Sequence, residues 1–432
     1  MGGARGSPSD SPSALLIGPY DPKIGFRLIT AIGVFALLGV VAALGHWRET
    51  QAPPPLRPVE KALLVHVTNA GDRGPGTLRE ALFVVATATG QSSISIEVPR
   101  ITLETALPAI VNGHGVRLLG QTSGVQIDAR ALGAGPVFDI SGPNTSIDGI
   151  TIRNCHDAGI LVRSVRFHLS ASTIASCDVG VEVADNASDT LLEGNHFLND
   201  RLGVRFGAAG HNSAVANNEF REDKDAGLWA VRGTPASHDD VIAIHDNEFI
   251  ADGIGVVAGN IAVLVQHNEF IGARDADVHL VGAGAVIREN RISGGASMGI
   301  VAENALGADI DHNELEGIAA YGVMVRGSSN TLVRGNRLRN CGYGLAFVLG
   351  DARKVSTAVG NTIIEPKFNG IEVIGDSPIL RHNEVLHPHA HAFRVEDFQA
   401  PDGHKTRSQP ILDDNNFGDS TVDYPRDSQS HT

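Results

Sequence analysis

Two repeated sequence patterns predict an all-β fold, a parallel β-helix, for most of this chain. The first pattern is an Asn, one variable residue and a large apolar residue, and it returns at intervals of roughly two dozen residues. Its copies begin at Asn195, Asn218, Asn247, Asn268, Asn290, Asn313, Asn336, Asn361 and Asn383. The second pattern is a Gly followed by alternating apolar residues, as in Gly180-Val181-Glu182-Val183. Such alternation is typical of a strand with one buried face.

One coil of a parallel β-helix explains both patterns, because a repeat of about 22 residues then holds two or three short strands and no helical period. A leucine-rich repeat would need a Leu-x-x-Leu-x-Leu frame, which the sequence lacks. Asn is expected at a corner because it tolerates left-handed backbone and because its amide can bond the equivalent Asn of the next coil. The apolar residue two places further on is expected to point inward and to stack on its equivalents.

The composition limits the size of the domain and its partners. A length of 432 residues suits one elongated solenoid, which grows by adding coils, and we expect a monomer. The formal net charge of -15 argues against nucleic acid and anionic lipid as partners. An acidic polysaccharide is still allowed, because local basic residues or a bound cation can offset the overall field.

Cysteine spacing leaves two interpretations open. The chain has three Cys, which cannot form a disulfide framework. Cys155 and Cys177 lie one coil apart at similar corners, where their backbones would be within disulfide reach. They form either a disulfide or part of a stack of small buried residues.

The residues ahead of the solenoid predict a single membrane anchor. Residues 1–26 indicate a disordered cytoplasmic tail, residues 27–47 a transmembrane helix and residues 48–62 a Pro-rich linker. The apolar run from Leu28 to Leu44 contains no charge. Because the basic residues ahead of this run should stay inside, the bulk of the chain is expected in the periplasm or extracellular space. A cleaved signal peptide is the alternative, but the polar segment before the run is unusually long for one.

Residues 63–417 are expected to form the β-helix domain, and residues 418–432 a disordered tail. Thr77-Leu78-Arg79-Glu80 has the form of a capping box, which predicts a short amphipathic helix from about Leu78 to Ala86. We expect this helix to cover the first coil, since the bare end of a solenoid exposes strand edges and core side chains.

The opening of this domain resembles a known family. The segment from Val67 to Leu82, and Leu119-Gly120-Gln121-Thr122 after it, are similar to the first segments of exported bacterial right-handed β-helix proteins, including pectate-lyase-like ones. The resemblance covers roughly residues 63 to 417 and implies the pectin-lyase-like superfamily fold. It is a weak guide to activity, because that fold hosts lyases, hydrolases, epimerases and non-catalytic proteins. The Trp-x-Asp-His and Arg-x-Pro-x-x-Arg segments of pectate lyases and the Asp-Pro-His-Asp segment of mannuronan epimerases are missing, so pectate cleavage is not supported.

Candidate site residues follow from the alternation in the strand after each Gly. The residue between the two buried positions faces outward, which places Glu182, Arg205 and Trp229 on three successive coils and His279 two coils further. Trp229 would stack on a sugar ring, unless the loop of residues 233–240 covers it. Arg205 would bind a sugar carboxylate or form a plain salt bridge, and His279 would act as a general base or stay idle.

A file of carboxylates is expected at the corner before the same strand, formed by Asp157, Asp178, Asp200, Asp225, Asp252 and Asp275. Mutual repulsion would raise some of their pKa values, or the file would attract Ca²⁺, the one cofactor that the sequence suggests. Asp178, Asp200 and Asp225 would then serve as acid, base or cation ligands. The alternative is that each Asp only caps the backbone amides of its turn. His387, His389 and His391 either share a strand face or lie in a loop around Pro388.

These residues predict a polysaccharide-active protein outside the cytoplasm. The enzyme hypothesis is a carbohydrate lyase, epimerase or hydrolase that uses the strip from Asp178 to His279. The alternative is a non-catalytic β-helix that binds a glycan or serves as a scaffold in the cell envelope. The coils beyond His279 are expected to be plain structure.

Overall fold

A computed structural model describes residues 62–121, 124–207, 212–232, 241–295, 297–350, 355–418 and 420–423. From the strand Phe138–Ile140 onward, successive coils contribute one short strand to each of three parallel sheets, and the chain makes about 12 turns. The predicted all-β parallel β-helix is therefore confirmed. The expectations for residues 1–61, namely the cytoplasmic tail, the anchor and most of the linker, lie outside the described residues. Within the described residues, no helix is both long enough and apolar enough to cross a membrane.

The three sheets are called A, B and C in the order in which a coil visits them. Sheet A contains Leu63–Val67, Ser92–Ile96, Val116–Gly120, Ser146–Asp148, His168–Ser170, Leu191–Glu193, Ala214–Ala216, Val241–His245, Ala262–Gln266, Val286–Arg288, Asp309–Asp311, Leu332–Arg334, Thr357–Val359, Ile379–Arg381 and Ile411–Asp413. Sheet B contains Arg100–Thr102, Val125–Asp128, Ile150–Arg153, Thr173–Ala175, His196–Leu198, Glu219–Arg221, Glu248–Ile250, Glu269–Ile271, Arg291–Ser293, Glu314–Glu316, Arg337–Arg339, Thr362–Ile364 and Glu384–Leu386.

Sheet C contains Phe138–Ile140, Ala158–Val162, Val179–Val183, Leu202–Phe206, Ala226–Val231, Ile254–Gly259, Ala276–Ala283, Met298–Leu306, Tyr321–Arg326, Tyr343–Val348, Ile371–Ile374, Phe393–Glu396 and Val422–Asp423. A small antiparallel pair, Phe398–Gln399 with Lys405–Thr406, projects from the last coils.

The interior is built from columns of identical or similar side chains, because parallel pairing places each residue beside its equivalent in the next coil. On sheet B, four Phe rings two places after the repeated Asn stack face to face at centroid distances of 4.7 to 4.8 Å, and these are Phe197, Phe220, Phe249 and Phe270. All four are buried. The predicted inward stacking of this position is confirmed, and each stacked pair contributes about 1 kcal/mol beyond the area that it buries.

The repeated Asn residues form a buried ladder at the corner between sheets A and B. Asn268 Oδ1 accepts hydrogen bonds from the backbone N (3.0 Å) and from Nδ2 (2.9 Å) of Asn247. Asn268 Nδ2 donates in turn to the carbonyl of Ile244 at 2.9 Å and to Oδ1 of Asn290 at 3.1 Å. The same pattern continues to Asn415. The ladder thus satisfies backbone groups that the corner leaves unpaired.

One part of the Asn expectation is wrong, because the ladder Asn residues do not adopt left-handed backbone. The residue just before each of them does, with φ of 65° at Gly194, 55° at Asn217 and 54° at His267. The preceding residue makes the turn, so that the Asn side chain can point inward from ordinary backbone.

The predicted helix, α1, spans Leu78–Ala86. The Thr77 side chain accepts from the N–H of Glu80, and the Glu80 carboxylate accepts from the N–H of Gly76 at 2.5 Å. The apolar face of α1, formed by Leu78, Ala81, Leu82 and Val85, joins the main core. The bounds of the helix are confirmed, and its role as an end cover stays a prediction.

A disulfide joins Cys155 and Cys177 on adjacent coils, with their Cα atoms 4.3 Å apart. It lies at the corner between sheets B and C. The third cysteine, Cys341, is free and buried. Burial raises the pKa of the Cys341 thiol to about 11, which keeps it protonated.

Removing one ladder amide should destabilise the domain more than removing an exposed one. Asn268→Ala leaves the buried N–H of Asn247 and the carbonyl of Ile244 without their partners, and we expect the free energy of unfolding to fall by about 3 kcal/mol. Urea unfolding followed by circular dichroism measures this change. Asn186→Ala, at an exposed turn, is the matched control and should change stability by less than about 0.5 kcal/mol. Equal effects of the two substitutions would contradict the structural role of the ladder.

Candidate functional site

The outer face of sheet C carries the predicted column of site residues. Strand pairing places Glu182 beside Arg205, Arg205 beside Trp229, Trp229 beside Val257 and Val257 beside His279. The side chains of Glu182, Arg205, Trp229 and His279 therefore share one face, at about 4.8 Å per coil.

Neighbouring charges already engage three members of this column, Glu182, Arg205 and His279. Arg205 Nη2 lies 3.7 Å from Oε1 of Glu182, and both side chains are partly exposed. His279 Nε2 lies 3.3 Å from Oε2 of Glu303, and a second oxygen of Glu303 lies 3.7 Å from Nη1 of Arg326. Glu303 was missed from sequence, although its pairing with Val281, two residues after His279, follows from the same register. A carboxylate in this position orients the imidazole ring.

Trp229 is half-buried and packs against a small apolar cluster on the outside of sheet C that includes Leu161, Leu202 and Val257. Part of its ring is therefore available to a ligand and part serves packing. The loop of residues 233–240, expected as an alternative cover for the ring, lies outside the described residues.

The expected file of carboxylates is not one column. Asp178 and Asp225 face outward and share one guanidinium, that of Arg201. Arg201 Nε and Nη2 donate to the two oxygens of Asp178 at 2.6 and 2.9 Å, and Nη1 donates to Asp225 Oδ2 at 3.0 Å. The hydrogen bonds from Arg201 lower the pKa of Asp178, which keeps this group a carboxylate and does not suit it to act as an acid.

Asp200 and Asp252 do not lie on the outer strip, and their expected place in the file is wrong. Both are buried, as is Asp223, which was missed from sequence. These three residues form an interior column, the Asp column, at the corner between sheets B and C. The error arose because the corner before the strand varies in length: Asp200 and Asp252 stand two residues ahead of their strands, whereas Asp225 stands one residue ahead. Counting five residues from each ladder Asn would have found all three.

Each member of the Asp column binds the coil before it. One oxygen accepts a backbone N–H at 2.7 to 2.9 Å, so Asp200 binds Cys177, Asp223 binds Asp200 and Asp252 binds Asp223. The second oxygen of each has no hydrogen-bond partner among the described residues. Burial raises the pKa of Asp200 to about 8 and that of Asp252 to about 7. Burial and repulsion from its two neighbours also raise the pKa of Asp223 well above its usual range.

The later coils of sheet C differ from the expectation of plain structure, because three aromatic rings stack on their outer side. The rings of Tyr321 and Tyr343 lie 4.6 Å apart, and those of Tyr343 and Phe368 lie 5.0 Å apart. Met298 precedes Tyr321 in the register. At the other end Phe368 is 49% exposed. The three rings are called the aromatic stack, and Phe368 presents its accessible end.

A buried acid lies beside the aromatic stack. Glu372 accepts a hydrogen bond from Asn369 Nδ2 at 2.9 Å, and Nη1 of Arg394 lies 4.0 Å from the same oxygen. Burial raises the pKa of Glu372, and the negative Glu396 nearby adds to that effect. Glu372 and the hydroxyl of Tyr321 also interact by a hydrogen bond. Rings and polar groups on one face form the kind of surface on which sugars bind.

Two of the shallow clefts on sheet B are lined mainly by charged and polar side chains. One, of about 390 Å³, is lined mainly by alternating Glu and Arg side chains such as Arg291, Glu314 and Arg337. The other, of about 590 Å³, is lined by His196, Glu219, Glu248 and Glu269 among others. No Phe, Tyr or Trp of the described residues lines either cleft. We therefore place the candidate site on sheet C.

Metal binding stays a prediction. Among the described residues, no group of three or more His, Cys, Asp or Glu side chains is arranged to hold a metal ion. His387, His389 and His391 lie in a loop and not on a strand.

Arg201 should control the charge of the outer corner without controlling the fold. We expect Arg201→Gln to raise the pKa of Asp178 towards its usual value, because the two charge-assisted hydrogen bonds are lost. Carbon NMR titration of the Asp178 carboxyl measures this shift. The free energy of unfolding should change by less than about 1 kcal/mol, since the group is a partly exposed ion pair. Arg163→Gln, which affects a different pair with Asp139, should leave the Asp178 titration unchanged.

Comparison with known proteins identifies the fold family. A family model described as "Right handed beta helix region" matches residues 110–238 and 234–386. No curated protein matches the sequence. Similar solved structures include the catalytic unit of a GH87 alpha-1,3-glucanase from Streptomyces thermodiastaticus, with 15% identity, coverage of 86% of this chain and 71% of the other, and a TM-score of 0.54.

Two further structures have the same architecture. The tailspike protein of Escherichia coli bacteriophage HK620, solved with a pentasaccharide, has 11% identity, coverage of 81% and 78% and a TM-score of 0.53. A DFA-IIIase from Arthrobacter chlorophenolicus, solved with GF2, has 12% identity, coverage of 70% and 94% and a TM-score of 0.51. Likenesses at this identity concern the fold. The family match over most of the coils shows that this chain belongs to the right-handed β-helix family.

Proposed function

We propose that this protein binds and processes a polysaccharide along the outer face of sheet C. The observation that carries the proposal is the aromatic stack beside Glu372 and Arg394. The strand register places Glu372 and Arg394 in the same outward column as Trp229 and Arg205. Aromatic faces take the apolar side of a sugar ring, and the flanking polar groups take its hydroxyls. Because the column runs parallel to the solenoid axis, an extended glycan meets a new coil about every 4.8 Å.

The chemistry available on this face favours proton abstraction over other reactions. His279 with Glu303 is a base held by a carboxylate, and a general base of this kind removes a proton next to a sugar carboxylate in a lyase or an epimerase. Arg205 would bind that carboxylate in place of Glu182. A hydrolase would instead use two carboxyl groups, for which Glu182 and Asp225 are the outward candidates.

A non-catalytic glycan-binding or scaffold protein is the alternative. One observation favours it: Arg201 engages both Asp178 and Asp225, so two of the outward carboxylates already have a cationic partner. These two carboxylates are then occupied by an ion pair and are not free to act on a bound sugar.

We further propose that residues 27–47 anchor the chain in a membrane and that the β-helix lies in the periplasm or outside the cell. The uncharged apolar run from Leu28 to Leu44 supports the anchor. The disulfide between Cys155 and Cys177 supports an oxidising compartment. Protease added to cells with a permeabilised outer envelope should degrade the domain, and complete protection until the cytoplasmic membrane is lysed would contradict this location.

Glycan binding should depend on the accessible end of the aromatic stack. Full-length protein in mild detergent is titrated by calorimetry with neutral and acidic oligosaccharides, each with and without Ca²⁺. For a ligand that binds, Phe368→Ala should raise Kd about tenfold, since the lost ring contact is worth about 1 to 2 kcal/mol. Phe83→Ala removes another exposed ring, on α1, and should leave Kd unchanged. Absence of binding to every oligosaccharide would contradict the proposed function.

Turnover should depend on His279. With a polysaccharide that the protein consumes, His279→Ala should lower kcat at least about 100-fold, as expected for loss of a general base. His267→Ala is the matched control, because His267 also pairs with a glutamate, Glu289, but lies away from sheet C. Binding without turnover on any member of the panel would favour the non-catalytic alternative. Equal activity of the two variants would exclude His279 as the base.

A further inference from the structure

The Asp column has no role in the proposed function, and its surroundings are apolar. A Cβ atom at Gly203 would lie 2.6 Å from Asp223 Oδ2 and 2.8 Å from the ring of Phe220. A Cβ at Gly227 would lie 3.0 Å from Asp252 Oδ2 and 2.8 Å from the Phe249 ring. Each carboxyl group is thus enclosed between a Phe ring of sheet B and a Gly of sheet C, where there is no space for bulk water.

Nearby cations face away from the column. Lys224 is exposed, and Arg274 Nη2 donates to the carbonyl oxygens of Asp223 and Lys224 on the outer side of the corner. Arg221 pairs with Glu219 on the outer face of sheet B. Cys177 closes the first end of the column with its N–H and its disulfide. No cation of the described residues enters the interior at this corner. Three charged carboxylates in successive coils would therefore repel one another, and the outward-facing Lys224, Arg274 and Arg221 would offset only part of that repulsion.

The Asn ladder shows that a neutral group would serve the corner equally well. At the neighbouring corner, an amide oxygen accepts the backbone N–H and the amide NH₂ binds a carbonyl and the next Asn. Asp in the same geometry leaves one oxygen unpartnered. A proton on that carboxyl would give it a donor, which could bind the free oxygen of the next Asp along the column.

We propose that the Asp column is a proton-binding device that makes the stability of the middle coils depend on external pH. The carboxyl groups hold protons in the folded protein and release them to water when the coils open or when the pH rises far enough to ionise them. The raised pKa values of Asp200, Asp223 and Asp252 agree with this arrangement. Asp277, further along the same corner, is also buried, and burial raises its pKa to about 8.

The sign of the effect follows from proton linkage. The unfolded chain loses these protons near its ordinary pKa of 3.8, whereas the folded protein holds them up to a pH of about 7 to 8. Between these limits the folded state binds more protons than the unfolded state, so stability falls as the pH rises. The contribution is complete below a pH of about 4 and is lost through about 7 to 8. Because Leu202 to Val231 carry both Arg205 and Trp229, the loss would loosen the face that we assign to glycan binding.

Asn substitution tests the device. The unfolding equilibrium of the full chain is measured in urea at several pH values from 5 to 9. Between pH 5 and 7, each carboxyl of this kind should change the unfolding constant by about tenfold per pH unit. Asp223→Asn should reduce the pH dependence of the unfolding constant by one tenfold factor per pH unit. It should also make the protein more stable at pH 9. Asp178→Asn, at the exposed corner, should leave the slope unchanged. An unchanged slope for Asp223→Asn, or a variant that is less stable at every pH, would overturn the proposal.

A second measurement needs no variant and remains decisive if the substitution prevents folding. The infrared carbonyl band of protonated carboxyl groups should persist in the native wild-type protein at pH 6, where exposed carboxylates are ionised. Amide hydrogen exchange at Cys177, Asp200 and Asp223 should accelerate between pH 5 and 7 by more than the intrinsic tenfold per pH unit, whereas exchange at Asn313 and Asn336 should not. Absence of the infrared band, or equal acceleration at both corners, would show that the column is charged or insensitive to pH.

Discussion

Hydrogen bonding between the backbones of consecutive coils is the constraint on which the rest of this structure depends. Because the pairing is parallel and offset by one coil, every residue has its equivalent as its neighbour on both sides. A corner pattern therefore determines contacts far from that corner. The Asn ladder between sheets A and B, at Asn195 and Asn218, accompanies the pairing of Arg205 with Trp229 on sheet C, on the other side of the coil.

This regularity explains why much of the fold was predictable from sequence. A ladder Asn marks each coil from Asn195 onward, and alternation after the Gly residues separates inward from outward positions. Because these coils carry both signals, the order predicted for the outward residues Arg205, Trp229 and His279 agrees with the observed strand pairing. The bounds of α1 were also predictable, because the capping box of Thr77 and Glu80 is a local signal that does not depend on the rest of the fold.

The corners were less predictable, since coils change length there. Asp225 is an additional residue between Asp223 and the strand that begins at Ala226, so that a count from the strand confuses inward with outward positions. The aromatic stack was missed for a related reason. Phe368 belongs to a corner and not to the alternating strand, and only the packed structure shows that its ring reaches Tyr343. The disulfide could likewise be decided only from the distance between the backbones of Cys155 and Cys177, since their separation in sequence left two interpretations open.

Asp277 shows that, in a repeat protein, the same place in the interior can be filled from different positions of the repeat. Asp277 pairs with the Gly position of its strand, and its Oδ2 lies 3.7 Å from where a Cβ of Gly295 would stand. Gly295 is the corner residue five places after ladder Asn290, the position that Asp occupies in the Asp column. A carboxyl that the corner lacks is thus supplied from the strand of the preceding coil. An alignment of the coils would show two separate differences, a Gly instead of Asp at position 295 and an Asp instead of Gly at position 277. In the interior, both differences concern one carboxyl group, which comes from the strand and not from the corner. Coils of such a core are therefore better compared by which chemical group fills each part of the interior than by which residues align in sequence.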